Sequence, residues 1–281
     1  MTKVSGRKVA EAILKKLEAE IKRKNLKPKL AIILAGDDPS SRIYVSNKLK
    51  AANGLGIQAK LYEFSSVEKE KLLNTLQRLN KDSSVNGIII QYPTFKTWDF
   101  DEIVAKIDPK KDVDGFLSES PYTEATALAI WEMLTAFSLL SGFRKTEEFL
   151  KDKKIVVLGR GKTAGGPITR LLKKRGFEVE SIVKETKNPK AKIKNGDIVI
   201  SATGVKNIVN KSNLKRGAYL VGVGVGKETV DGKARFFGDI NEEEVSKIAK
   251  LYCPTIGGIG PLTIVSLLKN VVSAARVTNG R

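Results

Sequence analysis

Apolar positions along the first ninety residues change between a helical spacing and short continuous runs. Residues 9–21 place apolar side chains three to four positions apart, which predicts an amphipathic helix. Further on the pattern predicts strands at 29–34, 57–61 and 87–90, with helices at 39–53 and from 65 to about 80 between them. Asp38-Pro39 is typical of a helix start, and Ser65 with Glu68 has capping-box spacing. This β-α-β-α-β order predicts a parallel sheet covered by helices.

The second half has the same alternation of predicted strands and helices, and it contains a glycine-rich turn. The pattern predicts strands at 154–158, 177–182, 197–202 and 219–223, helices at 125–137, 167–175 and 261–277, and a hairpin turn at Val230–Lys233. The helix at 125–137 precedes this stretch and is expected to join two domains. The expected fold class is therefore α/β, with a Rossmann-like second domain.

The turn at Gly159–Gly166 lies between a predicted strand and a predicted helix. Glycines allow the backbone to approach a diphosphate, and a helix N-terminus offers N–H groups and a positive dipole end. The spacing departs from G-x-G-x-x-G because Gly165 comes one residue late, so an ordinary strand–helix turn remains an alternative. Lys184 lies where a dinucleotide-binding protein contacts the ribose, and its charge suits a 2′-phosphate, which favours NADP modestly and leaves NAD open.

Composition narrows the possible functions. The chain has 281 residues, enough for two domains, and no histidine, which rules out Ser-His-Asp and Cys-His catalysis and HExxH zinc sites. Acid–base chemistry must therefore use Lys, Tyr, Asp or Glu with a shifted pKa. No stretch is apolar enough for a membrane helix and the N-terminus lacks the pattern of a secretory signal, so we expect a cytoplasmic protein without a membrane partner.

The formal net charge of +19 raises the alternative of a nucleic-acid-binding protein. Because the lysines are spread along the whole chain without stacking aromatics or a compact basic arm, we favour a solvated surface that attracts small anions.

Four polar residues in the first half could form a catalytic group. Tyr44 and Lys48 are four residues apart on one predicted helix, Gln91 follows the strand at 87–90, and Asp114 lies in a charged loop. Ligands gather at the carboxyl edge of an open α/β sheet, which is where Gln91 is expected. Singly, each residue also suits an ordinary surface or turn position.

Together with their surroundings, these residues resemble the bifunctional methylenetetrahydrofolate dehydrogenase/methenyltetrahydrofolate cyclohydrolase family. The resemblance spans nearly the whole chain through five motifs in family order: Leu34–Lys50, Gly87–Pro93, Lys111–Gly115, Val157–Arg160 and Gly257–Thr263. It implies oxidation of 5,10-methylenetetrahydrofolate with NADP+, followed by hydrolysis of the methenyl product to 10-formyltetrahydrofolate.

The resemblance also implies roles for individual residues. Lys48 is expected to be the central catalytic group, with Gln91 hydrogen-bonded to it, Tyr44 packed against the folate and Asp114 binding the pterin. The remaining expected folate contacts are Gly257, Gly258, Gly260, Pro261 and Thr263. The expected dinucleotide contacts are Gly159, Arg160, Gly161, Lys162, Thr163, Lys184, Thr203 and Gly204.

The resemblance further implies a homodimer and two domains. Residues 1–122 with 262–281 are expected to form the folate-binding catalytic domain, to which the C-terminal helix returns, and residues 123–261 the Rossmann-like NAD(P)-binding domain. No metal is implied.

Several positions depart from the family pattern, mostly on the dinucleotide side. Gly161 replaces a serine, Lys184 another polar residue, Gly222 an aspartate and Ile256 a proline. The loop at 115–122 is also short, and Tyr122 begins a segment where Cys-Thr-Pro is common. One alternative is therefore a cyclohydrolase with weak or lost dehydrogenase activity, and a less favoured one is a non-catalytic nucleotide- or nucleic-acid-binding protein.

Overall fold

The chain divides into two compact units, each built on its own parallel sheet. The structure is a computed structural model that describes residues 3–230 and 233–279. The first unit comprises Ala12–Ala125 with the segment from Ile264 onward, and the second comprises the segment up to Glu11 with Thr126–Thr263. The predicted domains placed the N-terminal segment in the other unit. It groups with the second, in which the Val4 N–H donates to the Tyr252 carbonyl oxygen at 2.8 Å.

The first unit contains a three-stranded parallel sheet in the order β2-β1-β3. The strands are β1 (Lys29–Leu34), β2 (Gln58–Glu63) and β3 (Gly87–Ile90), and the first helices of the chain are α1 (Gly6–Arg23), α2 (Pro39–Gly54), α3 (Lys69–Lys81) and α4 (Phe100–Val104). β3 and nearly all of β1 are buried, as their continuous apolar sequences predict.

Helix α3 covers one face of this sheet with its apolar side. Its Leu72 and Leu76 pack in one buried cluster with Ile33 of β1 and Ile88 of β3. Full burial of each such side chain contributes about 1.5–3 kcal/mol to the stability of the fold. The packing of α3 therefore keeps β1 and β3 in place.

The predicted start of α3 was wrong by one turn. Ser65 and Glu68 do interact, since the Ser65 N–H and hydroxyl donate to the Glu68 carboxylate at 2.8 and 2.9 Å. These bonds close a separate turn ahead of the helix, which begins only at Lys69.

The second unit contains a five-stranded parallel sheet in the order β10-β7-β6-β4-β5. Its strands are β4 (Ile155–Leu158), β5 (Val179–Ile182), β6 (Ile198–Ser201), β7 (Tyr219–Gly222) and β10 (Leu251–Cys253). The helices along this part of the chain are α5 (Ala125–Leu140), α6 (Thr146–Leu150), α7 (Gly165–Lys174), α8 (Pro189–Asn195), α9 (Glu242–Val245) and α10 (Ile259–Asn279). The three central strands are fully buried, which suits a sheet covered on both faces.

An antiparallel ribbon is attached to this unit. It pairs β8 (Val225–Val230) with β9 (Lys233–Gly238). The predicted turn residues Asp231 and Gly232 lie outside the described residues. Across the described ranges, no helix has the length and apolar character needed to span a membrane.

Candidate functional site

Helix α2 carries the first two candidate catalytic residues. Its start is fixed by Asp38, whose carboxylate accepts hydrogen bonds from the Ser41 N–H at 2.8 Å and the Ser41 hydroxyl at 3.0 Å. Four residues apart on this helix, Lys48 is only 6% exposed while Tyr44 is 43% exposed. A buried lysine beside a half-exposed aromatic ring is suited to the wall of a cleft rather than to a solvated surface.

The Lys48 ammonium has one defined side-chain partner. Its Nζ donates to Gln91 Oε1 at 2.9 Å, and Gln91 Nε2 donates to the Tyr92 carbonyl oxygen at 2.8 Å. The second bond orients the amide so that its oxygen faces the lysine. Gln91 directly follows β3, so the carboxyl edge of the sheet positions Lys48 through this amide.

Burial lowers the pKa of Lys48 below its usual 10.5, and the negative charge of Asp114 opposes that decrease. Burial likewise raises the pKa of Asp114, Lys48 opposes that rise, and Glu124 adds to it. The two side chains therefore form an interacting pair whose members are each shifted toward the neutral form. A lysine whose pKa is lowered in this way is neutral, and so able to accept a proton, at a lower pH than a solvated one.

The loop that carries Asp114 is shaped by the buried carboxylate of Asp112. Its two oxygens accept hydrogen bonds from the Gly115 N–H at 3.1 Å and the Leu117 N–H at 2.8 Å. Gly115 has a φ of +76°, which lets the chain reverse between these two contacts. Because Asp112 is 1% exposed, burial raises its pKa to about 6 despite these donors. These two hydrogen bonds therefore tie the residue two positions before Asp114 to the residues that follow it.

Two further residues hold this loop from outside. Lys111 Nζ donates to the carbonyl oxygens of Leu79, Asn80 and Asp82 at 2.7–2.8 Å, so it binds the C-terminal end of α3. The buried Asn270, on the part of α10 that belongs to the first unit, donates through Nδ2 to two carbonyl oxygens.

Those two carbonyl oxygens belong to Val113 and Thr123, both at 2.9 Å from Asn270 Nδ2. They stand at the two ends of the short loop at 115–122, so one amide fixes the separation of those ends. Sequence patterns missed Asp112, Lys111 and Asn270 as loop-holding residues. Asn270 gives no local signal, since its partners lie 157 and 147 residues earlier in the chain, whereas Asp112 bonds residues only three and five positions later.

The predicted dinucleotide residues follow the carboxyl ends of three neighbouring strands. Gly159–Thr163 come after β4, Lys184 comes after β5, and Thr203-Gly204 come after β6. Since β4 lies between β5 and β6, the structure brings these eight residues to one edge of the sheet.

The glycine-rich turn is tightly packed backbone. A Cβ on Gly159 would lie 2.3 Å from the Ala202 carbonyl oxygen, and one on Gly165 would lie 2.2 Å from the Gly159 carbonyl oxygen. Gly159 also has a φ of +88°, so both positions require glycine. Helix α7 begins at Gly165 without a side-chain cap, which leaves its positive end available to an anion.

The tip of this turn, Arg160–Thr163, is exposed, and so is Lys184. A Cβ on Gly161 would meet nothing within 4 Å, so the position accepts glycine without any steric requirement for it. Gly222 differs, because a Cβ there would lie 2.5 Å from Thr255 Oγ1 and 3.1 Å from Ile240 Cδ1. The aspartate expected at 222 therefore has no room in this chain.

The predicted folate contacts at the start of α10 lie in the second unit, whereas Tyr44, Lys48, Gln91 and Asp114 lie in the first. Gly257 has a φ of +73°, and a Cβ on Gly258 would lie 1.8 Å from the Pro254 carbonyl oxygen. Gly260, Pro261 and Thr263 follow in the first turns of α10 and are partly exposed.

Models of known protein families match both halves of the chain. The catalytic-domain model of the tetrahydrofolate dehydrogenase/cyclohydrolase family matches residues 4–114, and the NAD(P)-binding-domain model of that family matches residues 125–279. The chain belongs to the tetrahydrofolate dehydrogenase/cyclohydrolase family. The expected family resemblance is therefore confirmed, as is the presence of a domain of the NAD(P)-binding type.

Individual members of this family are similar over their whole length. The bifunctional protein FolD of Nautilia profundicola is 36% identical over 280 residues, which cover 98% of each chain. The crystal structure of the bifunctional FolD enzyme of Campylobacter jejuni has a TM-score of 0.87 at 32% identity and 99% coverage of both chains. Trypanosoma brucei FolD, solved with NADP cofactor and an inhibitor, has a TM-score of 0.89 at 30% identity, covering 99% of this chain and 98% of that one. The predicted two-domain α/β fold is thus confirmed.

Proposed function

We propose that the chain oxidises 5,10-methylenetetrahydrofolate to the 5,10-methenyl form with NADP+ and hydrolyses that product to 10-formyltetrahydrofolate. The observation that carries this proposal is the buried Lys48, held at 2.9 Å by Gln91 and electrostatically coupled to Asp114. Family membership and full-length similarity to bifunctional FolD proteins support the same pair of reactions.

In the hydrolysis step, water adds to the cationic methenyl carbon, one ring C–N bond breaks, and one proton is released. Lys48 is the group that we assign to accept this proton, because burial shifts its pKa toward neutral pH. The cationic substrate lowers the proton affinity of the lysine further while it is bound. Gln91 keeps Nζ in place, and its fixed amide oxygen cannot itself take the proton.

Asp114 is the group that we assign to the pterin. A carboxylate accepts two hydrogen bonds side by side, which matches the amino and ring N–H donors of a pterin edge. The hydrogen bonds made by Asp112 and the two bonds from Asn270 hold the backbone around Asp114 before substrate arrives. Tyr44 offers a half-exposed ring for packing against the folate.

The residues at the carboxyl edge of the second sheet are assigned to the dinucleotide. When bound, the nicotinamide accepts the hydride that leaves the methylene carbon. The tight turn at Gly159 and the uncapped start of α7 suit its diphosphate, and the exposed cations Arg160 and Lys184 favour a 2′-phosphate. We therefore propose NADP+ over NAD+ as the preferred oxidant.

Two assays on one preparation test the proposal. The first follows reduction of NADP+ or NAD+ in the presence of methylenetetrahydrofolate, and the second follows the loss of methenyl absorbance. Turnover in both assays is expected, with a higher kcat/KM for NADP+ than for NAD+. Absence of turnover in both would refute the assignment.

A second candidate function follows from the short loop at 115–122, which in the family lies near the nicotinamide. If this loop fails to complete the hydride-transfer site, the chain is a cyclohydrolase with weak or no dehydrogenase activity. That function would give methenyl hydrolysis at an ordinary rate together with dinucleotide reduction near background.

We further propose a cytoplasmic homodimer, on family resemblance for the dimer and on composition for the location. Sedimentation of the purified chain at several concentrations tests the first proposal, and fractionation of the source cells tests the second. A monomer at all concentrations would contradict the dimer.

A further inference from the structure

Asp239 is a fully buried acid that has no place in the predicted site. It directly follows β9, which ends at Gly238, and has an exposed fraction of 0%. Ionised carboxylates are rarely buried this completely unless they hold specific partners. Its partners therefore indicate what it does.

The side-chain hydrogen bonds of Asp239 lead to the end of β6 and the segment that follows it. Oδ2 accepts hydrogen bonds from the Ser201 hydroxyl at 2.8 Å and from the Thr203 N–H at 2.7 Å. Oδ1 is buried and has no hydrogen-bond partner within the described part of the chain. Through Oδ2 the carboxylate thus holds the last residue of β6 and the turn residue two positions later.

This turn is part of the edge assigned to the dinucleotide. Gly159 of the glycine-rich turn packs so closely on it that a Cβ would lie 2.3 Å from the Ala202 oxygen and 3.4 Å from Thr203 Cγ2. A displacement of Thr203 would therefore change the surface on which Gly159 rests.

The space around the carboxylate is closed on another side by Gly224. A Cβ at this glycine would lie 2.3 Å from Asp239 Oδ2 and 2.5 Å from Oδ1. The segment after β7 thus packs on the carboxylate as well, so Asp239 cannot move away from Ser201 and Thr203 without disturbing it.

We propose that Asp239 is a positioning residue of the dinucleotide site, which sets the Thr203-Gly204 turn against the glycine-rich turn at Gly159. It acts from behind these turns rather than by touching the dinucleotide. The proposal rests on the proposed function, since it assumes that this edge binds NAD(P). It adds a specific residue, far away in sequence, on which that binding depends.

Calorimetric titration of the full-length chain with NADP+ tests the proposal without requiring turnover. Asp239→Ala removes the shared acceptor and is expected to raise the Kd for NADP+ about tenfold, corresponding to about 1.4 kcal/mol. Asp239→Asn can place its amide oxygen at the Oδ2 position and keep both hydrogen bonds, so its Kd is expected to stay within about threefold of wild type. Methenyl hydrolysis, measured on the same samples, should change less than twofold.

Asp197→Asn is the matched control. Asp197 directly precedes β6, at the end of that strand opposite Ser201. There its carboxylate accepts hydrogen bonds from the Lys154 N–H at 2.9 Å and from Lys215 Nζ at 2.6 Å. This variant should leave the Kd for NADP+ unchanged, because it alters a carboxylate of the same unit away from the carboxyl edge.

Three results would overturn the proposal: an unchanged Kd in Asp239→Ala, an equal loss of hydrolysis and dinucleotide binding, or an Asn variant as weak as the Ala variant. If Asp239→Ala does not fold, Ser201→Ala decides, with a rise in Kd of about two- to fivefold expected and no rise overturning the proposal. A wild-type chain that hydrolyses methenylfolate but binds no dinucleotide would instead refute the dehydrogenase half of the proposed function.

Discussion

The two candidate sites of this chain are built by different means. The proposed folate site is a set of buried or half-buried side chains, in which Lys48 donates a hydrogen bond to Gln91 and interacts electrostatically with Asp114. The proposed dinucleotide site is mainly backbone, formed by the glycine-rich turn and an uncapped helix start, with exposed cations around it. A site made of side chains depends on the identity of each residue, whereas a site made of backbone depends on where glycines are.

This difference fits two of the chain's departures from its family pattern. The four candidate residues of the proposed folate site are intact, and the substitutions at Gly161 and Lys184 fall at exposed positions of the proposed dinucleotide site, whereas those at Gly222 and Ile256 do not follow this division. Backbone N–H groups can bind phosphate whatever side chain follows them. The following variants test this contrast, from the largest expected effect to the smallest.

Lys48→Met should have the largest effect because it removes the proposed proton acceptor. We expect methenyl hydrolysis to fall about a thousandfold, within the range for general acid–base groups. Folding should survive, since burial already shifts Asp114 toward its neutral form and that carboxyl can take up a proton once the ammonium is gone. Stopped-flow absorbance measures the rate, and circular dichroism checks the fold.

Lys50→Met is the matched control, since Lys50 is exposed on the same helix. It should retain full activity. Unimpaired hydrolysis by Lys48→Met would mean that the base lies elsewhere.

The buried Asp112 should make the stability of the first unit depend on pH. Its folded pKa of about 6 lies above the usual 3.8, so the folded state binds the proton more tightly. Its contribution to stability is therefore complete below about pH 4 and is lost as the pH rises through about 6. At about 1.4 kcal/mol per pH unit, the loss amounts to about 3 kcal/mol.

Asp112→Asn should remove this part of the pH dependence, which urea unfolding at several pH values measures. The free energy of unfolding of the variant should rise relative to wild type between pH 4 and 6. Parallel pH profiles for the two proteins would contradict the assignment.

Asn270→Ala should weaken the folate site from a distance. It leaves the Val113 and Thr123 carbonyl oxygens without their donor, at a cost of about 2 kcal/mol in unfolding free energy. Because the loop around Asp114 loosens, the KM for the folate substrate should rise more than kcat falls. Ser273→Ala on the same helix serves as the control. An unchanged KM in the Asn270 variant would show that the two hydrogen bonds of Asn270 affect stability only.

Arg160→Ala should have the smallest effect and should act on only one of the two activities. Removing one exposed cation from a site made mostly of backbone should raise the KM for NADP+ about tenfold and change that for NAD+ less. Methenyl hydrolysis by this variant should remain as in wild type. Lys190→Ala, which removes an exposed lysine on α8, is the control and should retain all activities. Equal losses with the two dinucleotides would place Arg160 away from the 2′-phosphate.

Much of this organisation could be predicted from the sequence because it is local. The continuous apolar runs predicted β1, β3 and β4 with correct bounds or within one residue, and Asp38-Pro39 predicted the start of α2. Short elements such as α4, α6 and β10 escaped because three to five residues give too little periodicity. The start of α3 was misplaced because a capping-box sequence closed a turn instead.

The candidate residues themselves came from family motifs, whereas the distant supports Asn270 and Asp239 did not. Whether Lys48 is buried, and therefore shifted in pKa, depends on packing that its helical position alone does not fix. Asp239 and Asn270 bind partners 36 to 157 residues away, and no spacing rule connects them. Long-range hydrogen bonds of this kind become visible only in three dimensions.

The hydrogen bond between Asn270 and Val113 can form only late in the synthesis of the chain. The chain emerges from the ribosome with its N-terminal part first, at a rate of about 5–20 residues per second. Val113 in the Asp114 loop is therefore synthesised roughly 8 to 30 seconds before Asn270, its hydrogen-bond donor. During synthesis, the nascent chain can form both sheets while the loop of the proposed folate site is still without its Asn270 hydrogen bonds.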